Sequence, residues 1–324
     1  MKRIWKELAL SAVIAFAVPW IMVSTVNFLR GERPQPQMQE TQPNSTDYTQ
    51  PQPLTVDVLV EDKLQRMDMD AYLTGVLLAE MPGSFHAEAK KAQSVVARTY
   101  ALRTAWLNRK HPGAVCGDPG CCQGYLAPDT YLNRGGDPGI LEDARQAVAD
   151  TADLVLTYGG ELIEATYFSC SGGRTEDAVA VWGTDVPYLQ SVDSPGEENA
   201  SVYTDSVIFS PGEFQKALGL SLTGDPDSWF GPVTYTEGGG VATMTVGGQQ
   251  FGGIQLRQKL KLRSTAFTVE VTEQGIAITT RGYGHRVGMS QYGADAMARN
   301  GSDFGQILAH YYPGTELSVS TGMP

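Results

Sequence analysis

An uncharged, largely apolar run extends from Leu8 to Val26, near the start of the 324-residue chain. At a helical rise of about 1.5 Å per residue, this run is long enough to cross about 30 Å of hydrocarbon. Basic residues precede it, so the positive-inside tendency places the rest of the chain outside the cytoplasm. The sequence predicts a cytoplasmic N-terminus at residues 1–7 and a transmembrane anchor at residues 8–27, with a cleaved signal peptide as the competing interpretation.

The segment that follows is rich in proline and glutamine. Between Gly31 and Pro53 it has almost no large apolar side chain, so it cannot bury a core. We expect residues 28–53 to form an extended tether. The folded domain is predicted to begin near Leu54 and to continue to about residue 320.

The composition limits the class of ligand. Hydrophobic residues make up 42% of the chain, enough to bury a sizeable core. The 36 acidic and 24 basic residues give a formal net charge of -12. This charge argues against nucleic acid, a polyanion, as the main ligand. A neutral polymer, or a polymer recognised by one local part of the surface, stays open as the ligand.

Local patterns predict an α+β fold. Short β-favouring alternation indicates strands, whereas helical spacing of apolar residues and Pro-Gly breaks delimit helices. The predicted strands are residues 54–59, 154–157, 162–168, 267–271 and 276–280. The predicted helices are residues 70–80, 84–107, 139–149, 212–218, 290–299 and 302–311. Gly-rich hairpin signals predict a lateral subdomain at about residues 200–263.

Four stretches of sequence follow one another in a specific order. They are Leu78-Ala79-Glu80-Met81-Pro82 with residues 93–101, the cysteine-containing loop, residues 167–176 with Val181-Trp182-Gly183 and Pro187-Tyr188-Leu189, and residues 282–294. Together they resemble the stage II sporulation protein D family. The resemblance covers most of the chain from residue 54 onward.

This resemblance implies a lytic transglycosylase of the cell wall. The family cleaves the β-1,4 bond between N-acetylmuramic acid and N-acetylglucosamine and leaves a 1,6-anhydro sugar. It prefers peptidoglycan glycan strands that an amidase has stripped of stem peptides. It acts at the membrane, between mother cell and forespore during engulfment, and the implied partners are stage II sporulation proteins P, the amidase, and M.

Glu80 is the candidate catalytic acid and base, because the family places its catalytic glutamate at this position. A lytic transglycosylase needs only one such carboxyl group. The residues before Glu80 are mainly apolar, and an apolar setting favours the protonated form that an acid needs. From pattern alone, a solvated glutamate at a helix end is the alternative. Glu88 is a poorer candidate, because the first turn of a helix gives it a structural role.

Two polar, glycine-containing segments are candidates for binding the glycan. The candidate ligands in the first segment are Ser169, Ser171, Gly172, Gly173, Arg174 and Thr175. Those in the second are His285, Ser290, Gln291 and Tyr292. Small residues allow close approach of a sugar, and their polar neighbours can bond to hydroxyl or acetamido groups. A plain hairpin turn is the alternative for the first segment, and a satisfied structural histidine is the alternative for His285.

Further residues bear on this expected groove. Aromatic side chains that could stack on sugars are Tyr100, Trp182, Tyr188 and Tyr203, with core packing as the alternative. Cys170 departs from the small polar residue usual in the family, and a buried free thiol is favoured over a nucleophile. Arg286 stands where the family usually has glycine, which weakens the case for close substrate approach there. We expect Glu80, Ser171 and His285 to converge on one groove.

The cysteine-containing loop predicts a structural zinc site. His111, Cys116, Cys121 and Cys122 fall within a short segment and offer the imidazole and thiolate ligands that tetrahedral zinc prefers. Some family members bind zinc with a similar set, in which a histidine occupies the position of Cys121. A disulfide between Cys116 and Cys121 or Cys122 is the rival interpretation, because the domain is expected outside the cytoplasm.

A non-catalytic glycan-binding module that activates a partner amidase is the alternative function. Some family members act in this way when the glutamate is absent, whereas Glu80 is present here. A hydrolase would need a second carboxylate across the groove, for which Asp193 and Glu176 are candidates. The sequence has no HExxH motif, which argues against a metalloprotease.

Overall fold

The computed structural model describes residues 54–107 and 110–320 of the chain. The fold is α+β, as predicted, with small sheets packed against helices. The predicted N-terminal segment, anchor and tether at residues 1–53 lie outside the described residues. Within the described ranges, no helix is both long enough and apolar enough to cross a membrane.

Strands and helices are interspersed along the described chain. The strands are β1 (Thr55–Val60), β2 (Lys63–Asp68), β3 (Ala114–Cys116), β4 (Leu154–Tyr158), β5 (Glu161–Leu162), β6 (Tyr167–Phe168), β7 (Thr204–Phe209), β8 (Phe230–Tyr235), β9 (Val241–Val246), β10 (Gln249–Gly252), β11 (Phe267–Thr272), β12 (Gly275–Arg281), β13 (Met289–Ser290) and β14 (Glu316–Val319). The helices are α1 (Met69–Glu80), α2 (Ala87–Leu107), α3 (Pro128–Asn133), α4 (Pro138–Ala149), α5 (Ala178–Trp182), α6 (Pro211–Leu218), α7 (Gly253–Leu260), α8 (Gln291–Arg299) and α9 (Phe304–Tyr311).

The first sheet and α1 place Glu80. Strand β1 pairs antiparallel with β2 and parallel with β3. Asp68 caps α1, because its side chain accepts hydrogen bonds from two backbone N–H groups of the first turn. Proline at position 82 cannot continue the helix, and Glu80 is the last helical residue. The carboxyl group is therefore presented at a helix end, as the sequence predicted.

A close contact at Gly75 lets the segment after β3 pack against α1. A Cβ atom at Gly75 would lie 2.3 Å from the ring of Tyr125, a distance that no real side chain tolerates. Gly75 also accepts a hydrogen bond from the backbone N–H of Leu126. Glycine at this position thus allows residues 117–126, which include two of the cysteines, to lie directly on the helix that ends in Glu80.

The single strand predicted at residues 162–168 is wrong. β5 pairs with β4, whereas β6 pairs in parallel with β13. Side-chain contacts mark the end of the pairing with β4: Arg103 donates to the carbonyl oxygen of Leu162 in β5, and the backbone N–H of Glu164 donates to the Tyr188 hydroxyl. The chain therefore changes partner and brings β6 beside the start of α8.

The described residues have two hydrophobic clusters. The larger cluster includes α1, α2, α4 and the C-terminal helices. The second includes Phe214, Trp229, Phe251, Ile276 and Ile278, so it gives the lateral region a core of its own. This core continues past residue 263, because β12 pairs with β7 and returns the chain to the same sheet.

Candidate active site

A cavity of about 890 Å³ lies beside the end of α1, the cysteine-containing loop and β6. Its lining includes the predicted catalytic residue Glu80 and, among the predicted glycan ligands, Ser169, Tyr188, His285 and Gln291. Aromatic side chains form much of the wall: Tyr100, Tyr167, Phe168, Trp182 and Tyr283. A concave surface that combines aromatic rings with polar and charged side chains suits a small-ligand or oligosaccharide site.

Glu80 is half-buried in the wall of this cavity. Its Oε1 atom accepts a hydrogen bond from the backbone N–H of Gly124, in the loop that contains the cysteines. A Cβ atom at Gly124 would lie 2.9 Å from that oxygen and 3.2 Å from the Cβ of Ala79. Glycine therefore lets the backbone approach the carboxyl group this closely, whereas a larger residue would require the carboxyl group to shift.

Tyr167 is a cavity residue that we did not predict as part of the site. Burial, followed by the negative charge of Glu80, raises the pKa of Tyr167 well above its usual value. Its hydroxyl therefore stays protonated, and it donates to Gln123 Oε1 at 3.2 Å. Gln123 in turn donates from Nε2 to the hydroxyl of Tyr72 at 2.9 Å. This chain of hydrogen bonds supports the wall around the carboxyl group.

His285 is a neutral part of the cavity wall. Burial and then the positive charge of Arg257 lower its pKa to about 4, although a hydrogen bond with the backbone of Tyr167 acts in the opposite direction. Its Nδ1 atom accepts from the backbone N–H of Val287 at 3.1 Å. The ring centroid lies 5.6 Å from that of Phe168 and 5.6 Å from that of Trp182. These contacts match the alternative of a satisfied structural histidine.

Several predicted ligands converge on a buried carboxylate that the sequence did not reveal. Glu197 is only 1% exposed and lies in an irregular segment without a recognisable motif. Its oxygens accept hydrogen bonds from Cys170 Sγ, Ser171 N, Ser171 Oγ, Gly172 N, Ser194 Oγ and Ser290 Oγ. We call this set the Glu197 cluster. It fastens the segment after β6 to the first turn of α8, so Ser171 and Ser290 support the cavity from behind.

Arg286 has a structural role of the same kind. It is 2% exposed and forms an ion pair with the buried Glu176 at 3.2 Å. It also donates to the backbone carbonyl oxygens of Ser171, Arg174 and Gly238. A guanidinium group with four such partners is satisfied inside the fold, and it joins the first polar segment to the turn between β8 and β9.

Other predicted ligands also lie outside the cavity lining. Arg174 forms ion pairs with Asp193 and Glu237, and Thr175 is buried and donates to backbone carbonyl oxygens. Tyr292 packs edge-on against Phe85, with ring centroids 4.8 Å apart. The predicted glycan ligands that lie outside the lining are Ser171, Gly172, Gly173, Arg174, Thr175, Ser290 and Tyr292. A direct substrate contact by any of them stays a prediction.

His111, Cys116, Cys121 and Cys122 form a compact group of possible metal ligands beside the cavity. Their ligand atoms all lie within 4.8 Å of one another. Cys121 Sγ is 3.5 Å from His111 Nε2 and 4.0 Å from Cys122 Sγ. Tetrahedral zinc with usual bond lengths separates such ligand atoms by about 3.5–3.8 Å, so the four residues fit this metal.

The thiols of this group are not joined by a disulfide in the structure; the chain's four cysteines are all free. Burial would raise the pKa of Cys116, but hydrogen bonds from the backbone of Asp118 and from the other three ligands outweigh it and lower the pKa to about 7. A thiol that ionises readily suits a metal ligand. Two of the four residues, Cys121 and Cys122, also line the cavity, so the group forms part of its wall.

Comparison with known proteins identifies the family. The model of the SpoIID family, described as stage II sporulation protein, matches residues 60–158. Stage II sporulation protein D of Bacillus subtilis (strain 168) is 38% identical over 261 residues, which cover 79% of this chain and 76% of that protein. The chain belongs to the stage II sporulation protein D family. Glu80 and the four possible metal ligands all lie within the segment that the family model matches.

Two other relatives show the range of this family. Stage II sporulation protein D of Bacillus amyloliquefaciens is 38% identical over 261 residues, which cover 79% of this chain and 75% of the relative. A Bacillus subtilis (strain 168) protein named amidase enhancer is 28% identical over 305 residues, covering 76% of this chain and 40% of the relative. Similarity thus extends from the stage II sporulation proteins D to a protein named for its effect on an amidase.

Proposed function

We propose that this member of the stage II sporulation protein D family is a lytic transglycosylase. It cleaves the β-1,4 bond between N-acetylmuramic acid and N-acetylglucosamine in peptide-stripped peptidoglycan strands and leaves 1,6-anhydro ends. The main support is the position of Glu80, at a helix end in the wall of a cavity, where the backbone of Gly124 holds its carboxyl group. The family membership and the aromatic lining agree with this reaction.

The proposed reaction uses Glu80 twice. The protonated carboxyl group first gives its proton to the glycosidic oxygen, and the bond from that oxygen to the anomeric carbon breaks. The resulting carboxylate then accepts the proton of the sugar's own C6 hydroxyl, whose oxygen attacks the anomeric carbon. This intramolecular attack needs no external water and closes the 1,6-anhydro ring.

The aromatic wall suits the faces of sugar rings. Trp182 is 46% exposed and Tyr283 is 45% exposed, so both rings have free surface at the cavity. Tyr188 is almost buried and packs against Tyr158, which makes it part of the support. Of the aromatic residues in the lining, Trp182 and Tyr283 are therefore the better platforms for a sugar.

The carboxylates that a hydrolase would use as a second group are engaged elsewhere. Glu176 is buried in its ion pair with Arg286, and Asp193 is paired with Arg174 outside the lining. The lining contains one further carboxylate, that of Glu164, which forms an ion pair with Arg103 at 3.2 Å. A mechanism with one carboxyl group therefore agrees better with the described residues than hydrolysis does.

The products distinguish these reactions. The full-length protein would be incubated with peptide-stripped glycan strands, and the soluble products analysed by mass spectrometry. Products with anhydro-muramyl ends are the expected result. Products heavier by one water, with reducing ends, would instead identify a hydrolase and direct attention to Glu164. No cleavage of any strand would contradict an enzymatic role.

A variant at Gly124 tests how the structure positions the carboxyl group. Gly124→Ala would push a methyl group against Glu80 Oε1 and Ala79, so the carboxyl group must move. We expect a fall in turnover of about 10- to 100-fold, since small misplacements of a reacting group are costly. Gly212→Ala is the matched control, because nothing lies within 4 Å of an added Cβ there. Equal turnover of the two variants would contradict the proposed role of the Gly124 contact.

We also propose that the four possible metal ligands hold a structural zinc ion. All four positions are protein ligands, so the metal would stabilise the loop that includes Gly124. We expect about one zinc ion per chain by elemental analysis. Cys116→Ser should lose the metal, whereas Cys170→Ser, outside the group, should keep it.

A count of thiols separates zinc from the disulfide. After denaturation in a chelator without reductant, zinc binding predicts that the chain's four cysteines all react with an alkylating reagent. A disulfide within the group would leave two of them unreactive, and that result would overturn the zinc proposal.

Activation of an amidase is a second candidate function, favoured by the relative named amidase enhancer. The two functions are compatible: an enzyme that cuts stripped strands depends on an amidase for its substrate, so activating that amidase would supply it with strands to cut.

We propose stage II sporulation proteins P and M as partners. We also propose a membrane-anchored location between mother cell and forespore. Mixing the Glu80→Gln variant with the partner amidase would reveal activation that is independent of glycan cleavage.

A further inference from the structure

A network of hydrogen bonds fixes the direction of the Tyr167 hydroxyl proton. Gln123 Nε2 donates to the backbone carbonyl oxygen of Ala97 at 3.3 Å, and a carbonyl oxygen can only accept. This bond sets the orientation of the amide, so Gln123 Oε1 faces the Tyr167 hydroxyl at 3.2 Å. Because Oε1 is also only an acceptor, Tyr167 is the donor, and its proton points to Gln123.

The Tyr167 hydroxyl lies next to the carboxyl group of Glu80. Both residues line the cavity, and Gln123 directly precedes Gly124, whose backbone N–H donates to Glu80 Oε1. Burial raises the pKa of Tyr167 most, the negative charge of Glu80 comes next, and a hydrogen-bond interaction with the same carboxyl group acts in the same direction. The hydroxyl therefore stays protonated beside two acceptors, the amide of Gln123 and the carboxyl group of Glu80.

The relative strength of these two acceptors depends on the state of Glu80. While the carboxyl group is protonated, neither acceptor is charged, and Gln123 holds the hydroxyl proton. After Glu80 has given its proton away, its carboxylate is the stronger acceptor, because a hydrogen bond to an ionised group is about twice as strong as one between neutral groups. A rotation of the hydroxyl about its Cζ–O bond is then sufficient to change the acceptor.

We propose that Tyr167 is a positioning residue for Glu80, which donates to its carboxylate after the first proton transfer and to Gln123 when Glu80 is protonated again. The inference rests on the proposed function, because it requires Glu80 to give and to accept a proton. Tyr167 keeps its own proton throughout, so only the acceptor changes. A bond that forms after proton transfer stabilises the later state without strengthening substrate binding, so it raises turnover and leaves KM unchanged.

Tyr167→Phe tests this role, because it removes the hydroxyl oxygen and keeps the ring. With the full-length protein and peptide-stripped strands, we expect turnover to fall by about 10-fold and KM to stay within about twofold. Tyr72→Phe is the matched control, because it removes the hydroxyl at the other end of the same network, where Tyr72 is buried and lies outside the cavity lining. We expect its turnover to stay within about threefold of the unmodified protein.

A double-mutant cycle separates a role through Glu80 from general support of the cavity wall. In the Glu80→Gln background no carboxylate forms, so adding Tyr167→Phe should lower the residual turnover by less than about twofold. If Tyr167 only supported the wall, the same substitution would cause its full loss in both backgrounds. Mass spectrometry of the released anhydro-muramyl ends measures the turnover of each protein.

The outcomes separate this inference from the function on which it rests. Undiminished turnover of Tyr167→Phe, an equal loss in Tyr72→Phe, a change in KM alone, or an equal loss in the Glu80→Gln background would each overturn it and leave the proposed transglycosylase intact. Absence of anhydro-muramyl products from the unmodified protein would overturn both proposals. Circular dichroism verifies that the compared variants are folded, which we expect because each tyrosine variant lacks only a hydroxyl oxygen.

Discussion

Replacing Glu80 with glutamine is expected to lower the turnover of peptide-stripped glycan strands by about 10²- to 10⁴-fold. Glutamine keeps the shape of the side chain and can still accept the hydrogen bond from Gly124. It cannot donate a proton to the glycosidic oxygen, and it cannot take one from the C6 hydroxyl. The loss should therefore appear in turnover, measured as the rate of release of anhydro-muramyl ends, and not in stability or in glycan binding.

Glu88→Gln is the matched control for this variant. Glu88 lies in the first turn of α2, where its side chain accepts from the backbone N–H of Phe304 and pairs with Lys91. It does not line the cavity, so we expect turnover within about twofold of the unmodified protein. Undiminished turnover of Glu80→Gln would contradict our mechanism, and an equal loss in both variants would point to a structural effect.

Glu197→Ala should have the largest effect on stability, a decrease of about 4 kcal/mol in the free energy of unfolding. The substitution removes the acceptor of six hydrogen bonds and leaves buried donors unpaired, among them the backbone N–H groups of Ser171 and Gly172. Urea unfolding followed by circular dichroism measures the change. Glu197→Gln should cost less, because one oxygen acceptor remains.

The neighbouring Glu198 supplies the control for the cluster. Its side chain is exposed and accepts one hydrogen bond, from the backbone N–H of Gly196 at 3.4 Å. Glu198→Ala should change the free energy of unfolding by less than about 0.5 kcal/mol. If Glu197→Ala stays within 1 kcal/mol of this control, taken as about the error of such comparisons, the cluster does not stabilise the fold as we infer.

Long elements with periodic sequences were predicted well. The helix predicted at residues 70–80 is observed at Met69–Glu80, and the strand pair near the C-terminus is observed as β11 and β12. The group of His111 and three cysteines also followed from spacing alone. In each case the determining residues are close together in the sequence, so local pattern and capping are sufficient.

Short elements were missed where a distant partner creates them. β3 has three residues and pairs with β1, and β13 has two residues and pairs with β6, whose own residues were predicted as strand but with a different partner. A strand of two or three residues is too short to show the alternation of apolar and polar residues from which a strand is predicted. The first polar segment was assigned to the cavity for a related reason: small polar residues suit a ligand and a buried hydrogen-bond network equally well.

The sequence by itself determined the fold class, the possible metal ligands and the candidate glutamate, because these depend on local pattern and on similarity to a family. The tertiary structure decided which residues surround that glutamate. The contact between Gly124 and Glu80 joins positions 44 residues apart, and that between Ser290 and Glu197 joins positions 93 residues apart. Whether a polar residue lines the cavity, as Ser169 does, or binds a buried carboxylate, as Ser171 does, depends on such long-range packing, which no local pattern encodes.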